Sequence, residues 1–328
     1  MEQDQKPNKL WAILLAAGRG TRLGPITRAL CGRELPKQFV ALTSDRTLLQ
    51  DTFERVQPLV PAERTVVVVS EDYAEIAELQ LAAYPGITIV RQPVDRGTGV
   101  ALMLGLAQVR ARDPEAEVSI FPSDHHFHNP AALVATVRRA RLAMRSAPSG
   151  VVLLGVPAER AATDLGWIVP GNELARAADV AEVAEFVEKP GLERALGLLR
   201  AGALWNTMVT VASVPALWRL GRQLMPSQTR AFDRYVQAVQ RAGTRSHRLL
   251  SLLYQRMRSA DFSRDVLEVT PGLGVLPLVD SGWFDCGTPE RLLSWLQATA
   301  DPSGILARLR TNPTLDAGVT EDRARAMA

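Results

Sequence analysis

A loop of small residues with nearby cations is the strongest chemical signal in the sequence. Residues 15–23 read L-A-A-G-R-G-T-R-L directly after an apolar run, and a second segment, P-K-Q-F, begins at Pro36. Small residues let backbone amides approach a triphosphate, while Arg22 and Lys37 can neutralise charge on its oxygens. The dinucleotide fingerprint fails because Leu23 stands at its third glycine, and the P-loop ending GK[ST] does not occur. We therefore predict another kind of phosphate-binding loop, with a tight turn carrying a surface arginine as the alternative.

Two carboxylates far apart in the chain are candidate ligands for a hard cation. Asp124 follows an apolar run within P-S-D-H, and Asp285 lies within G-W-F-D-C-G-T. Separate carboxylates suit a hard cation that bridges phosphate groups. Read alone, Asp285 is an ordinary turn residue, and Asp124 competes with Asn129 to cap the following helix.

The other metal-ligating residue types form no recognisable centre in the sequence. His125, His126 and His128 crowd one turn, but their spacing matches no common zinc pattern, so their role stays open. The two cysteines, Cys31 and Cys286, lie in no CxxC pair, which excludes a disulfide framework and argues against zinc or redox chemistry.

Short apolar runs alternate with stretches of helical period in the first half of the chain. The predicted strands are 10–16, 64–70, 87–91, 118–122 and 151–156. The predicted crossover helices are 47–56, 72–83, 98–112 and 130–145. This alternation predicts an α/β fold with a mostly parallel sheet, helices on both faces, and ligands at the carboxyl ends of the strands.

The rhythm changes in the second half, which we expect to extend the same sheet. The predicted elements are strand 180–187, helix 192–200, strand 204–212, a long helical region to about 258, strand 273–278 and helix 289–300. Neither a Pro/Ser-rich linker nor an internal repeat interrupts them. We predict one domain over 10–300, with a polar leader over 1–9 and a polar, loosely ordered tail over 301–328.

Composition excludes several classes of function. The net charge is +3 and the basic residues are scattered, which argues against nucleic acid as a partner despite a sequence pI near 9.1. Eighteen uninterrupted apolar residues occur nowhere, and the leader lacks the pattern of a signal peptide, so we expect no membrane partner and a cytoplasmic location. A homo-oligomeric assembly stays open.

The glycine loop, P-K-Q-F and P-S-D-H resemble the sugar-1-phosphate nucleotidylyltransferases, and especially the mannose-1-phosphate guanylyltransferases. The resemblance covers roughly 10–297 and implies the Rossmann-like three-layer α/β/α nucleotide-diphospho-sugar transferase fold, with a nucleotide-binding half over about 10–155 and a sugar-binding half over about 156–300. The implied substrates are a nucleoside triphosphate and a sugar 1-phosphate, and the implied metal is Mg²⁺. The site residues it implies first are Arg22, Lys37 and Asp124 as catalytic, Asp124 and Asp285 as metal ligands, and Ala16, Ala17, Gly18, Gly20 and Thr21 as the nucleotide-binding loop.

Further segments extend this resemblance to the sugar and the base. F-V-E-K-P, L-G-W-I and W-N-T imply that Gly166, Glu188, Lys189 and Asn206 bind the sugar phosphate. R-Q-P and R-G-T-G resemble the family's E-P-x-x-R-N-T-A and imply that Gln92, Gly97 and Thr98 help to hold the base and ribose. The chain departs from the family where Gln92 replaces glutamate, Gly97 replaces asparagine and Gly99 replaces alanine, and Ser263 stands where the guanylyltransferases have aspartate.

These departures leave the choice of base and sugar open but not the type of reaction. The leading hypothesis is the formation of GDP-mannose from GTP and mannose 1-phosphate. The alternatives are a glucose-1-phosphate thymidylyl- or uridylyltransferase, a non-catalytic regulatory relative that binds the nucleotide sugar, and a plain nucleotide-binding module.

Overall fold

Nine strands form one sheet through the described residues, which are 9–175, 180–242, 247–299 and 304–310 of this computed structural model. Two further short strands form a separate pair. In chain order the strands are β1 (Leu10–Ala16), β2 (Thr65–Ser70), β3 (Thr88–Gln92), β4 (Glu117–Pro122), β5 (His126–Phe127), β6 (Val151–Pro157), β7 (Gly166–Ala175), β8 (Val180–Glu188), β9 (Leu204–Ser213), β10 (Gly274–Pro277) and β11 (Trp283–Phe284).

The order of strands in the main sheet is β3-β2-β1-β4-β9-β6-β10-β8-β7. The first four strands are parallel neighbours, as expected for the nucleotide-binding half. β9 and β8 run against their neighbours, while β6 and β10 are parallel. The sheet is therefore parallel in its first half and mixed in its second. The prediction of a mostly parallel sheet did not distinguish the two halves.

Helices cover both faces of the main sheet. In chain order they are α1 (Gly24–Cys31), α2 (Leu48–Val56), α3 (Ala74–Gln80), α4 (Thr98–Arg112), α5 (Pro130–Ala143), α6 (Leu192–Arg200), α7 (Val214–Leu224), α8 (Pro226–Ala242), α9 (His247–Gln255), α10 (Pro289–Ala298) and α11 (Ile305–Arg310). Ile13 of β1 packs in the core that holds α4, α7 and α8, whereas Leu14 packs in the core that holds α2 and α5. Alternate residues of one strand thus face two helical layers, which confirms the three-layer fold.

α4 is the central helix of the first face. Its residues from 99 to 109 are all buried, so the helix is covered around its whole circumference rather than along one stripe. Gly105 allows it to lie close to the sheet, because a Cβ there would be 2.6 Å from Cγ2 of Ile13. The buried helix fixes the position of its own N-terminal turn, which carries the predicted nucleotide-binding residues Gly97 and Thr98.

The sequence patterns did not predict several elements of the fold. β7 and α1 were missed, and the long helical region divides into α7, α8 and α9. Near the start of the predicted polar tail, α11 buries Ile305 against α1 and α10. Residues 1–8 of the predicted leader over 1–9, and the tail beyond 310, lie outside the described residues. None of the helices in the described part of the chain is long and apolar enough to span a bilayer.

Candidate active site

The two-stranded sheet of β5 and β11 brings the predicted metal ligands together. Asp124 lies two residues before β5, and Asp285 follows β11 directly. The strands pair antiparallel, and the backbone N–H of His128 extends the ladder by donating to the carbonyl of Gly282 at 3.2 Å. Because the start of one antiparallel strand faces the end of the other, the two aspartates meet at one end of this sheet.

Asp124 also lies beside the glycine loop. The Ser123 hydroxyl donates to the carbonyl of Leu15 at 2.8 Å, and the Ser123 backbone N–H reaches the same oxygen at 3.2 Å. β1 and β4 are parallel neighbours, so both segments leave the sheet at its carboxyl edge. The carboxyl edge is where ligands bind in open α/β sheets.

Lys37 lies between the two aspartates and contacts both segments. Its Nζ is 3.1 Å from Oδ2 of Asp124 and donates to the carbonyls of Asp285 at 2.6 Å and Cys286 at 3.3 Å. An ammonium has three N–H groups, so all three have acceptors here. Burial opposes ionisation of Asp124, but the Lys37 ammonium, the neighbouring His125 and hydrogen bonds to the carboxylate together lower the pKa of this carboxyl. Cys286 adopts the left-handed conformation, with φ of 47°.

Gln38 holds the glycine loop in shape. Its Nε2 donates to the carbonyls of Ala16 at 2.9 Å and Gly18 at 2.6 Å, and Gln38 is buried. Gly20 has φ of 55°, and a Cβ there would be 3.2 Å from the backbone nitrogen of Lys37. The loop that contains Ala16, Ala17, Gly18, Gly20 and Thr21 is therefore braced by P-K-Q-F, whose spacing in the sequence now has a structural reason.

A chain of ion pairs connects this loop to Asp285. Arg22 Nη1 is 3.3 Å from Oδ2 of Asp164, and Arg291 Nη2 is 2.5 Å from the same oxygen. Arg291 Nη2 is also 3.1 Å from Oδ2 of Asp285. Arg22 is 58% exposed in its side chain, so it can exchange Asp164 for a ligand at little cost.

Comparison of the sequence with known protein families agrees with the fold and with this arrangement of side chains. Residues 11–301 match the family model described as nucleotidyl transferase. The chain belongs to the nucleotidyl transferase family. The matched residues include strands from both halves of the main sheet.

Relatives of this nucleotidyl transferase are known in several bacteria. The chain is 30% identical to the alginate biosynthesis protein AlgA of Pseudomonas putida, over 90% of this chain and 59% of the relative. It is also 30% identical to the mannose-1-phosphate guanylyltransferase of Escherichia coli K12, over 90% and 61% respectively. The crystal structure of a mannose-1-phosphate geranyltransferase from Thermus thermophilus superposes with a TM-score of 0.72 at 29% identity, covering 87% of this chain and 79% of that one. The chain thus spans about three fifths of the curated relatives it matches.

The two aspartates of this nucleotidyl transferase suit a divalent cation such as Mg²⁺. Both present carboxylate oxygens, which are hard ligands, at the edge where the glycine loop ends. In the described part of the chain no group of three or more His, Cys, Asp or Glu side chains surrounds a common point. A protein that offers one or two carboxylates and leaves the other positions to phosphate oxygens and water matches the usual coordination of Mg²⁺. The residues present therefore fit this ion.

Three of the predicted sugar-binding residues lie together on neighbouring strands. Gly166 begins β7, Glu188 ends β8 and Asn206 lies in β9. A Cβ on Gly166 would be 2.8 Å from Oε2 of Glu188 and 3.3 Å from Cβ of Asn206, so the glycine leaves room at this point. Lys189 Nζ is 2.9 Å from Oε1 of Glu188, and Lys189 itself is about half exposed. Their role in binding a sugar stays a prediction.

Three residues outside the predicted sugar-binding set pack around this group. Met208 has φ of 64°, and its backbone N–H donates to Oδ1 of Asn206 at 3.0 Å. The Ser263 hydroxyl lies 3.5 Å from the Met208 sulfur. Oε1 of Glu268 accepts from the backbone N–H of Glu188 at 2.6 Å. The segment in which Ser263 replaces aspartate thus packs directly against the predicted sugar residues.

The predicted base and ribose residues are engaged with the segment that follows α9. A Cβ on Gly97 would be 2.4 Å from the carbonyl oxygen of Ala260, which explains why asparagine does not occur here. Oγ1 of Thr98 is 3.2 Å from Oδ2 of Asp261. Gln92 is 1% exposed, and its Oε1 has no hydrogen-bond partner within the described residues. Gln92 ends β3 at the carboxyl edge, so this group lies at the expected edge, and its role in binding a nucleotide stays a prediction.

Packing accounts for two of the three clustered histidines. Nδ1 of His125 accepts from the indole N–H of Trp283 at 3.2 Å, which leaves the proton of the neutral ring on Nε2, 3.7 Å from Oδ1 of Asp124. His126 packs edge-on against Trp295 at 4.8 Å between ring centroids. Burial is the main reason that the pKa of His126 falls to about 4, so both contacts involve neutral rings at neutral pH.

Sequence reasoning missed three residues of this site. Gln38 is part of P-K-Q-F, so the motif carried a signal for it that we assigned to lysine alone. Asp164 and Arg291 carried no such signal, because each lies in an ordinary loop or helix and their contact joins distant parts of the chain. Arg55 is a further residue that was missed, a buried cation whose guanidinium donates to the carbonyl of His125 at 3.1 Å.

Proposed function

We propose that this chain transfers a guanylyl group from GTP to mannose 1-phosphate, which forms GDP-mannose and releases pyrophosphate. The observation that carries the proposal is the meeting of Asp124 and Asp285 around Lys37, next to the glycine loop. The names of its relatives in Escherichia coli and Thermus thermophilus, which both refer to mannose 1-phosphate, support the choice of sugar. The proposed location is the cytoplasm, where nucleoside triphosphates are available.

The reaction is a direct displacement at phosphorus. A phosphate oxygen of the sugar 1-phosphate attacks the α-phosphorus, and the bond to the pyrophosphate oxygen breaks in line with it. The attacking oxygen is already anionic, so the chain needs no general base. Catalysis then consists of aligning two anions and neutralising the charge that they bring together.

The residues of the chain divide this work between the two substrates. The loop that Gln38 braces receives the triphosphate, and Arg22 leaves Asp164 to neutralise its oxygens. Glu188 and Asn206 orient the sugar through its hydroxyls, while the exposed Lys189 meets its phosphate. Asp124 and Asp285 would hold Mg²⁺, which supplies charge stabilisation at the phosphate oxygens when bound.

The decisive experiment measures pyrophosphate release with Mg²⁺ across a grid of four nucleoside triphosphates and the 1-phosphates of mannose, glucose and N-acetylglucosamine. We expect release with GTP and mannose 1-phosphate above all other pairs. Release with dTTP or UTP and glucose 1-phosphate instead would keep the mechanism and replace the substrates. Folded protein that is silent across the grid but binds a nucleotide sugar in calorimetry would overturn catalysis in favour of a regulatory relative.

A further inference from the structure

We infer that Arg291, held by Asp164, is a positioning residue that orients the Asp285 carboxylate for its metal ion. The inference rests on the proposed function only in that the proposed reaction gives the metal ion its role. Asp285 is 6% exposed, and the guanidinium of Arg291 is the cation that contacts its carboxylate, at 3.1 Å. Carboxylates that bind metals are themselves hydrogen-bonded, and loss of such a partner typically weakens metal binding by about 10- to 100-fold.

The backbone beside this ion pair has no room for a side chain. A Cβ on Gly287 would be 2.1 Å from Nη2 of Arg291 and 2.3 Å from Oδ2 of Asp285. A Cβ closer than 3.0 Å to these two side chains would force the side chains or the backbone to move. Glycine at this position therefore lets the chain turn tightly around the pair, which indicates that the contact between Arg291 and Asp285 is built into the turn.

Arg291 is fixed from two other directions. Thr288 caps α10 by accepting the backbone N–H of Arg291 at 3.3 Å, and Pro289 begins the helix, so the arginine lies in the first turn. Asp164 then holds the guanidinium at 2.5 Å. Since Arg22 contacts the same oxygen of Asp164, departure of Arg22 to a triphosphate leaves Asp164 to Arg291 alone.

The test measures Mn²⁺ binding, which is detected as the loss of the free-ion signal in electron paramagnetic resonance. This measurement needs no turnover. We expect Arg291→Gln to weaken Mn²⁺ binding by about 10- to 100-fold. Arg291→Lys keeps the charge and should recover part of the loss. Gly287→Ala leaves every charge in place and should also weaken binding, because it separates Arg291 from Asp285. Unchanged or tighter Mn²⁺ binding in Arg291→Gln would overturn the inference.

Arg141→Gln is the matched control. Arg141 is 26% exposed in its side chain, close to the 20% of Arg291, and donates twice to Glu117 at the amino end of β4, far from the site. We expect its Mn²⁺ affinity and melting temperature to show what the loss of a half-buried arginine does by itself. If Arg141→Gln weakens Mn²⁺ binding as much as Arg291→Gln does, the role assigned to Arg291 is wrong.

A double-mutant cycle tests the part played by Asp164. If Asp164 acts through Arg291, Asp164→Asn added to Arg291→Gln should cost nothing further, whereas additive losses would show that it acts independently. In active enzyme, the Mg²⁺ concentration for half-maximal pyrophosphate release should rise in step with the loss of Mn²⁺ affinity. A wild type that binds Mn²⁺ but is silent across the substrate grid would contradict the proposed function and leave the assignment of Arg291 standing.

Discussion

Lys37 has each of its three N–H groups directed at an acceptor on the two aspartate segments. A triphosphate that binds to Lys37 must therefore replace one of these three acceptors. The Asp124 carboxylate is the acceptor whose negative charge a metal ion can neutralise once Lys37 releases it. Two carbonyl contacts to the Asp285 segment would remain. At the scale of single residues, the ammonium thus both contacts the segments of the two proposed metal ligands and can release one of them, which the planar fork of an arginine would not reproduce.

Asp124 is the residue at which this arrangement is most directly tested. Asp124→Asn keeps the shape of the side chain and an acceptor for Lys37 but removes the charge that holds a cation. We expect turnover to fall on the order of a hundredfold or more, which is typical for the loss of one electrostatic group, while circular dichroism shows a folded protein. Asp113→Asn is the control, since Asp113 follows the last residue of α4, at the opposite end of that helix from Thr98. Near-normal turnover in Asp124→Asn would remove Asp124 from the reaction.

At the scale of elements, the pairing of β5 with β11 does what neither half of the main sheet can do alone. Each strand has two residues, so their pairing depends on the loops around them. Gly282 precedes β11 with φ of 56°, and a Cβ there would be 2.6 Å from Cβ of His128. The glycine is therefore required twice, for its backbone conformation and for the approach of the facing loop.

Gly282→Ala should disturb the two aspartates without touching either. Gly202 gives the matched control, because it has φ of 70° and open space around its Cβ position. Both alanine variants meet the penalty of a left-handed residue, about 1–2 kcal/mol, which urea unfolding will measure. Only Gly282→Ala should also lose turnover, on the order of a hundredfold, because the two proposed metal ligands shift relative to each other. Equal turnover in the two variants would show that β5 and β11 do not set the geometry of the site.

Elements of the sheet differed in how far the sequence predicted them. β2 reads T-V-V-V-V-S and is buried on both faces, so its pattern alone located it. β7 contains Gly166, Pro170 and Gly171, which are typical of turns, and its pairing is supplied by β8. The strands of two residues have no period to detect. The contact of Arg291 with Asp164 likewise has no local sequence pattern, because it joins distant parts of the folded chain. Asp124 and Asp285 lie in motifs and could be predicted.

At the scale of the whole molecule, the two helical layers differ in what they contribute. The layer with α4, α7, α8 and α9 contacts the segment that holds Gly97 and Thr98, so the stability of that core supports the predicted nucleotide-binding residues. It buries two tyrosines in one aromatic cluster, in which Phe232 lies between Tyr235 and Tyr254. Burial raises the pKa of Tyr254, so its hydroxyl stays protonated in the core.

The two tyrosines predict opposite effects on the free energy of unfolding. The hydroxyl of Tyr254 is buried without a hydrogen-bond partner among the described residues, whereas that of Tyr235 accepts from Nε2 of Gln108 at 2.8 Å. A buried polar group without a partner costs about 1–3 kcal/mol. Tyr254→Phe removes such a group and should stabilise the protein, while Tyr235→Phe creates one on Gln108 and should destabilise it by a similar amount.

Urea unfolding of both variants measures this difference. The two substitutions delete the same atom from neighbouring rings of one core. The free energy of burying the ring is therefore the same in both variants, and only the state of the hydrogen bond differs. We expect the unfolding midpoints to move in opposite directions with unchanged dependence on urea, which indicates unchanged exposure of surface on unfolding. If Tyr254→Phe destabilises as much as Tyr235→Phe, the Tyr254 hydroxyl has a partner in solution, and a buried water bound to it would be the first candidate.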